Sequence, residues 1–388
     1  MDTAFLSRAR DISPELTGLR HEIHRFPERG NAELRTAALI EKTLREFDIE
    51  VQRPCGTAVV GVLRGGLSGR CAALRADMDA LPVCERTGAA FASQNDGWMH
   101  ACGHDFHTAA ALGAARLLSE ARDNLRGTVK FFFQPDEEGD GGAKPLIEAG
   151  CLDSPNVDAV FGAHVDPNLP AGSVGVRYGK FYAASNPFRA VIHGKSAHGA
   201  EPEKGVDALY AAANVVRGAR ALSKMLDEQN GKTVISICTL HAGAAENIIA
   251  SEAELRGMIR TLGPEARQKA VESLRNLIVS ASESAGASAE VDIRWGYPGI
   301  VNHDECSRLA EGAARRLLGD ARVVVIPEPT MTTEDFGFFL EKRPGCFYHF
   351  GVGGGAALHS DRFLPDDRLL PGAAAVHAAV ICDFLNQI

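Results

Sequence analysis

PFRAVIH (187–193), VDALYAAANVVRGARALSKML (206–226), TVISICTLH (233–241), AELRGMIRT (253–261), PEARQKAVESLRNLIVSASES (264–284) and AEVDIR (289–294) follow one another with short polar or glycine-bearing breaks. The first, third, fourth and sixth are short, with alternating or β-branched apolar residues, as half-buried strands require; the second and fifth repeat apolar residues at three- and four-residue spacing, as helices do. The order is βαββαβ, a split unit whose two crossovers place both helices on one face of a four-stranded sheet. At roughly 110 residues it is large enough to be a domain of its own. Residues 186–295 are therefore expected to be a smaller domain inserted into a larger one made of 1–185 and 296–388.

Outward from that segment the rhythm is helix and strand in alternation. Pro14–Phe26 and Glu33–Phe47 read as amphipathic helices, and Ala58–Leu63, Cys71–Leu74, Thr128–Phe133 and Asp158–Gly162 as buried strands, with helical stretches at His107–Ala121 and Ala143–Ala149 between the last three. After Pro298 the pattern resumes with helices at Asp304–Leu318, Thr333–Leu340 and Gly372–Leu385 and strands at Val323–Ile326 and Cys346–Gly351. Alternating elements of this kind predict an α/β fold with a mixed, largely parallel sheet.

Composition narrows the partners. Forty-one Lys and Arg against 50 Asp and Glu give a net charge of -9 over 388 residues, the wrong sign for a broad phosphate-binding surface. No nucleic acid is expected. The apolar runs are short and alanine-rich, and the start MDTAFLSRAR lacks the pattern of a secretory leader, so neither a membrane anchor nor export is expected. Nine scattered cysteines, an odd number, suit reduced thiols in a cytoplasmic protein.

The chemistry gathers where predicted strands end, which is where open α/β sheets meet ligands. Asp77-Met-Asp79 follows one strand, Asp136-Glu137-Glu138 another, and His164 closes a third. HACGHDFHT (100–108) packs a thiol, three imidazoles and a carboxylate into the entry of a helix, and its C-x-H spacing lets Cys102 and His104 aim at one point. A single histidine or cysteine is usually a hydrogen-bonded core residue; the cluster is harder to read that way. Of Glu137 and Glu138, one carboxylate can hold a cation while its neighbour takes a proton from water, although adjacent glutamates are more often a solvated turn. His359, in the glycine-rich GVGGGAALHS (351–360), is a further candidate ligand.

At these residues the chain resembles the M20 metallopeptidase family, and within it the amidohydrolase branch of hippurate hydrolases, N-acyl amino acid amidohydrolases and plant auxin-conjugate hydrolases. The resemblance is carried by RHEIHRFPE (20–28), LRADMDALP (74–82), MHACGHDFHT (99–108), FFFQPDEEGDGGA (131–143), GAHV (162–165), GKSAHGAEPEKGVDAL (194–209), IRT (259–261), TEDFGFF (333–339) and LHS (358–360). It implies two divalent ions (zinc, manganese, cobalt or nickel) held by Cys102, His104, Glu138, His164 and His359, with Cys102 bridging both. It implies Glu137 as the general base and Asp79 as a carboxylate that orients a ligand. The inserted segment resembles the family's lid, which carries the dimer contact. His198 there would polarise the scissile carbonyl, often from the partner subunit, while Asn247 and Arg260 match positions for the substrate's oxygen and carboxylate groups. Arg260 reads equally well as a strand-end residue in a surface ion pair. Branch members show Ala where Asp136 stands, an aromatic where Asp166 stands and His where Glu203 stands, so the added charge bears on the substrate pocket.

The resulting expectation is hydrolysis of the amide of a small N-acyl amino acid by a homodimer or higher oligomer. Alternatives of the same chemistry are a dipeptidase and an N-acetyl-diaminopimelate-type deacetylase. A thiol hydrolase with Cys102 as nucleophile and His104 or His107 as base, and a binding module that kept only the fold, complete the set.

Overall fold

The computed structural model describes residues 2–387. It divides the chain into two compact units, one of residues up to Gly179 with Asn302–Pro327 and the stretch from Asp335, the other of Lys180–Val301 and Glu328–Glu334.

The first unit opens with helices α1 (Asp2–Asp11), α2 (Ser13–Arg25) and α3 (Leu34–Glu46). Strands β1 (Glu50–Gln52), β2 (Val59–Arg64) and β3 (Leu67–Asp77) follow, then α4 (His104–Glu120), β4 (Arg126–Gln134), α5 (Ala143–Glu148), β5 (Ala159–Asp166) and β6 (Val174–Val176). Strand β7 (Gly179–Tyr182) leads to β8 (Ala184–His193), α6 (Ala208–Asn230), β9 (Thr233–Ala242), β10 (Glu252–Thr261), α7 (Pro264–Ser284) and β11 (Ser288–Ile293). The chain returns through β12 (Ile300–Asn302) to α8 (Asp304–Leu318), β13 (Val323–Val325), α9 (Gly337–Leu340), β14 (Gly345–Gly351) and α10 (Leu370–Leu385).

The large sheet has eight strands in the order β1-β2-β4-β3-β5-β14-β6-β13. Its centre, β4-β3-β5-β14, is parallel, while β1, β2 and β6 pair antiparallel to their inner neighbours. The sheet is thus mixed and parallel where it is buried. Strands covered on both faces read as continuous apolar runs, which explains why Phe131, Phe132 and Phe133 in β4 are all fully buried. Helices α4 and α10 cover β3 with small side chains, Ala109, Ala110, Ala374 and Ala378 among them, which lets the helices pack closely. The stretch Asp367–Leu385 is long and apolar enough to cross a membrane, with a mean hydropathy of 1.4, yet 78% of its apolar window is buried within the protein. Its composition is that of a core helix.

The second unit has the expected split βαββαβ order, with an antiparallel sheet β11-β8-β10-β9. Phe188, Ala190 and Ile192 of β8 and Leu255 and Ile259 of β10 pack on Val215 of α6 and Leu274 and Ile278 of α7.

Several expectations shift. Helix α1, with Phe5 and Ala9 buried one turn apart, and the short strands β1, β6, β7 and β12 were not foreseen. The helix expected over Thr333–Leu340 begins only at Gly337, because Asp335 turns inward to Arg75 and Gln134. Helix α4 starts at His104 rather than near His107, which puts a candidate ligand in its first turn.

Candidate active site

Strands β3, β4 and β5 are parallel neighbours, so their carboxyl ends, with Asp77 and Asp79, Glu137 and Glu138, and His164, lie side by side. Into this row α4 brings Cys102 and His104. The donor atoms of Cys102, His104 and His164 lie within 4.8 Å of one another, as do those of Cys102, Glu138 and His359, and those of His104, Glu137 and Glu138. Cys102 is common to two triads. Its Sγ is 3.2 Å from His164 Nε2, and Glu138 Oε1 is 3.0 Å from His359 Nε2. The five residues read as ligands are thus brought together, with Glu137 and Asp79 beside them.

Local backbone makes the convergence possible. Gly103 has φ of 85°, and a Cβ there would lie 2.7 Å from Val165 Cγ2, so the turn between Cys102 and His104 requires glycine for both conformation and space. His359 takes φ of 64°, a left-handed conformation uncommon outside glycine and typical of functional positions. Its N–H donates to Ala101 O at 2.8 Å, tying the last candidate ligand to the Cys102 turn.

Hydrogen bonds fix the imidazoles. His104 Nδ1 donates to Asp79, at 2.9 Å to the backbone oxygen and 3.1 Å to Oδ1, while Asp79 Oδ2 accepts Glu138 N–H at 3.0 Å. One carboxylate therefore orients both His104 and the Glu137–Glu138 turn. His164 Nδ1 donates to Val165 O at 2.7 Å, leaving Nε2 to face the thiol. His104 Nε2 is buried with no hydrogen-bond partner among the described residues. A buried ring nitrogen of that kind is costly unless it meets water or, once deprotonated, a cation, and a thiolate, imidazoles and a carboxylate around it form a donor set suited to zinc and its neighbours.

His107 is different. Its Nδ1 donates to Asp77 Oδ1 at 2.6 Å and its Nε2 accepts Val165 N–H at 2.9 Å, so neither nitrogen is left for a cation or for base catalysis. Beneath the cluster, Arg75 lies fully buried between Asp77, at 2.6 Å, and Asp335, at 2.9 Å, and also donates to Gln134 at 2.9 Å.

Burial opposes charge on His104, but Asp77, Asp79 and Glu138 outweigh it and raise its pKa to about 10. Burial pushes Glu138 upward, yet His359 and His104 hold it down at about 2. Burial, then Glu138 and Glu137, push the Cys102 thiol well above its ordinary value. That is the reverse of the electropositive setting of a cysteine nucleophile, and with His107 already engaged the thiol-hydrolase reading is left with His104 alone as its base. A bound cation would deprotonate the thiol outright.

Two of the three departures from the branch pattern have structural tasks. Asp136, at φ of 56°, is folded into its own turn; a Cβ on Gly30 or Gly139 would fall 1.9 or 2.2 Å from its Oδ1, and Asn31 Nδ2 donates to its Oδ2 at 2.7 Å. Asp166 faces His349 Nδ1 at 2.9 Å and accepts Asn168 N–H at 2.8 Å. Glu203 is exposed in the turn Pro202–Lys204.

In the second unit His198 and Asn247 are exposed neighbours: Gly199 N–H donates to Asn247 O at 2.8 Å, and His198 Nδ1 accepts Ala200 N–H at 3.0 Å. Arg260 is at the other end of that sheet. Glu252 pairs with His193 and Arg260 with Ser185, an eight-residue offset that spans roughly 27 Å of strand. The three are not brought together within one chain. Arg260 forms no surface ion pair among the described residues, and its Nη1 is buried without a hydrogen-bond partner.

Sequence reasoning missed the supports. Arg75 and Asp335 are 260 residues apart, and Arg20, His24 and Asp105, which join one another around α4, carried no local signal beyond standing in quoted motifs.

Comparison with known proteins agrees with this geometry. The family model described as Peptidase family M20/M25/M40 matches residues 73–381. Thermostable carboxypeptidase 1 of Saccharolobus solfataricus is 37% identical, covering 97% of each chain, and hippurate hydrolase of Campylobacter jejuni is 36% identical, covering 97% of this chain and 98% of its own. The crystal structure of the Bacillus subtilis YXEP protein, described as a dinuclear metal binding peptidase, superimposes with a TM-score of 0.88 at 35% identity, covering 98% of this chain and all of that one.

Proposed function

Because the chain belongs to peptidase family M20/M25/M40, we propose that it hydrolyses the amide bond of N-acyl amino acids, releasing a carboxylic acid and an amino acid. The carrying observation is that Cys102 lies in both donor triads, Cys102–His104–His164 and Cys102–Glu138–His359, with Glu137 beside them. These five residues would hold two divalent ions, zinc, manganese, cobalt or nickel according to supply. Such ions would supply positive charge that polarises the amide and lowers the pKa of a water from near 16 toward about 7. Glu137 takes the proton of the attacking water and returns it to the leaving nitrogen. Asp79 holds His104 in the tautomer that presents Nε2. His198 and Asn247 donate to the developing oxyanion, and Arg260, whose buried Nη1 lacks a partner, pairs with the substrate carboxylate.

Residues 186–295 act as the lid of a catalytic domain formed by 1–185 and 296–388. Since His198 and Arg260 of one chain are too far apart to touch one small substrate, the reading calls for a second copy. Edge strand β9 exposes Leu240, and α6 exposes Tyr210, Val216 and Met225, an unpaired strand edge and apolar face suited to a homodimer contact. Nine cysteines with no disulfide among the described residues support a reducing, cytoplasmic setting. Turnover of N-acetyl, N-benzoyl and longer N-acyl amino acids against dipeptides, with each ion restored to stripped protein, is the test. Preference for dipeptides would overturn the substrate class.

A further inference from the structure

Cys102 and His104 stand at the end of a long connection from β3 to α4. Its middle, residues 82–98, contains no helix or strand, and α4 opens at Gly103 without a side-chain cap. An uncapped helix start reached by an irregular connection needs support from elsewhere. Helix α2 provides it. His24 Nδ1 meets Asp105 Oδ2 at 2.9 Å and its Nε2 meets Glu85 Oε1 at 3.2 Å. Both partners are carboxylates, so both ring nitrogens donate and His24 is an imidazolium. Burial opposes that charge, but Asp105 and Glu85 prevail and raise its pKa to about 9. Asp105 immediately follows His104 and also accepts Arg20 Nε at 2.9 Å. Glu85, near the start of the connection, gathers Thr87 Oγ1 and, at 2.6 Å, Ser93 N–H.

We propose that His24 is a positioning residue that staples Glu85 to Asp105, closing the segment 85–105 into a ring of fixed ends and so pre-forming the Cys102–His104 half of the metal centre. Closing such a loop in advance removes its ordering cost from ion binding. The consequence for ions rests on the ligand assignment proposed above.

Asparagine places its amide nitrogen near the position of Nδ1, and glutamine near that of Nε2. His24→Asn therefore keeps the Asp105 link alone and His24→Gln the Glu85 link alone. Full-length protein, stripped and titrated with zinc against a competing chromophoric chelator, gives affinity; hydrogen exchange by mass spectrometry over residues 86–103 reports the loop. Both variants are expected to bind zinc about 10- to 100-fold more weakly, to exchange faster over 86–103 and, at saturating zinc, to keep KM. Zinc affinity within threefold of the parent in both variants overturns the proposal. So does full recovery by His24→Asn, which would reduce His24 to a partner of Asp105. Should either fail to fold, Glu85→Gln on the loop side of the staple tests the same link and must shift affinity in the same direction. Cys102→Ala reports separately: zinc binding left intact by that change would defeat the ligand assignment, whatever His24 does.

Discussion

Replacing Arg75 by methionine is the sharpest probe of how the site is held. The guanidinium is fully buried and contacts Asp77 at 2.6 Å and Asp335 at 2.9 Å, so Arg75→Met takes the guanidinium away from two carboxylates that stay in the interior. Removing one partner of a buried ion pair costs about 3–5 kcal/mol, which is about two to three and a half decades in the unfolding equilibrium. The sign with pH follows from Asp77. Burial opposes its charge, but His104, Arg75 and His107 hold it well below the ordinary carboxylate value. A carboxylate depressed in the folded state stabilises above its unfolded value, about pH 4, and loses that contribution as pH falls through the folded value. Without Arg75 the folded value of Asp77 rises, so the variant is penalised most near neutrality and relieved as that group takes up a proton. The chain has two tryptophans, Trp98 in the first unit and Trp295 in the second. In a Trp295→Phe background, Trp98 fluorescence during urea unfolding therefore reports the first unit. A deficit below 1 kcal/mol at pH 7.5, by the same accounting of buried pairs, or one that grows toward pH 5, would refute the reasoning.

Glu137→Gln should lower kcat by about 10²- to 10⁴-fold while zinc stoichiometry is retained; a normal rate would remove Glu137 from the base role. Gly103→Ala places a Cβ 2.7 Å from Val165 at φ of 85° and should destabilise by about 1–3 kcal/mol, read by the same Trp98 melt, with weaker zinc binding. In stripped protein, iodoacetamide should label exposed Cys84 and Cys238 well before buried Cys102, whose thiol is held protonated; peptide mapping over a time course would expose the opposite order.

Much of the fold was legible because periodicity and strand-end chemistry are local. Helices α7 and α8 fall where apolar spacing put them, Pro264–Ser284 and Asp304–Leu318, since both bury one continuous stripe. The TEDFGFF stretch misled, because the apolar residues after Asp335 suggested a longer helix whereas the carboxylate is drawn to Arg75 in another element. The ligand candidates stood out because Glu138 and His164 come just after expected strands and Cys102 stands at the entry of a helix. Their supports did not, since a buried arginine such as Arg20 or Arg75 reads in sequence like any surface cation until its partner, 85 positions away for Arg20 and 260 for Arg75, is known. Arg260 and His198 share one motif-bearing segment, yet the length of β10 separates them, a distance that no spacing rule shows until register is fixed.

The place of β14 in the large sheet has a consequence for biogenesis. It lies between β5 and β6, although β5 ends at Asp166 and β14 begins only at Gly345. On the ribosome the entire second unit emerges before this central strand exists, and it can reach its own structure while the first remains an open half-sheet with unpaired strand edges. Such delayed, long-range parallel pairing is slow and exposes the nascent chain to aggregation. His359 arrives later still, so on the proposed ligand assignment a half-made polypeptide lacks the full donor set, and capture of ions by the complete centre would wait until translation has passed that histidine.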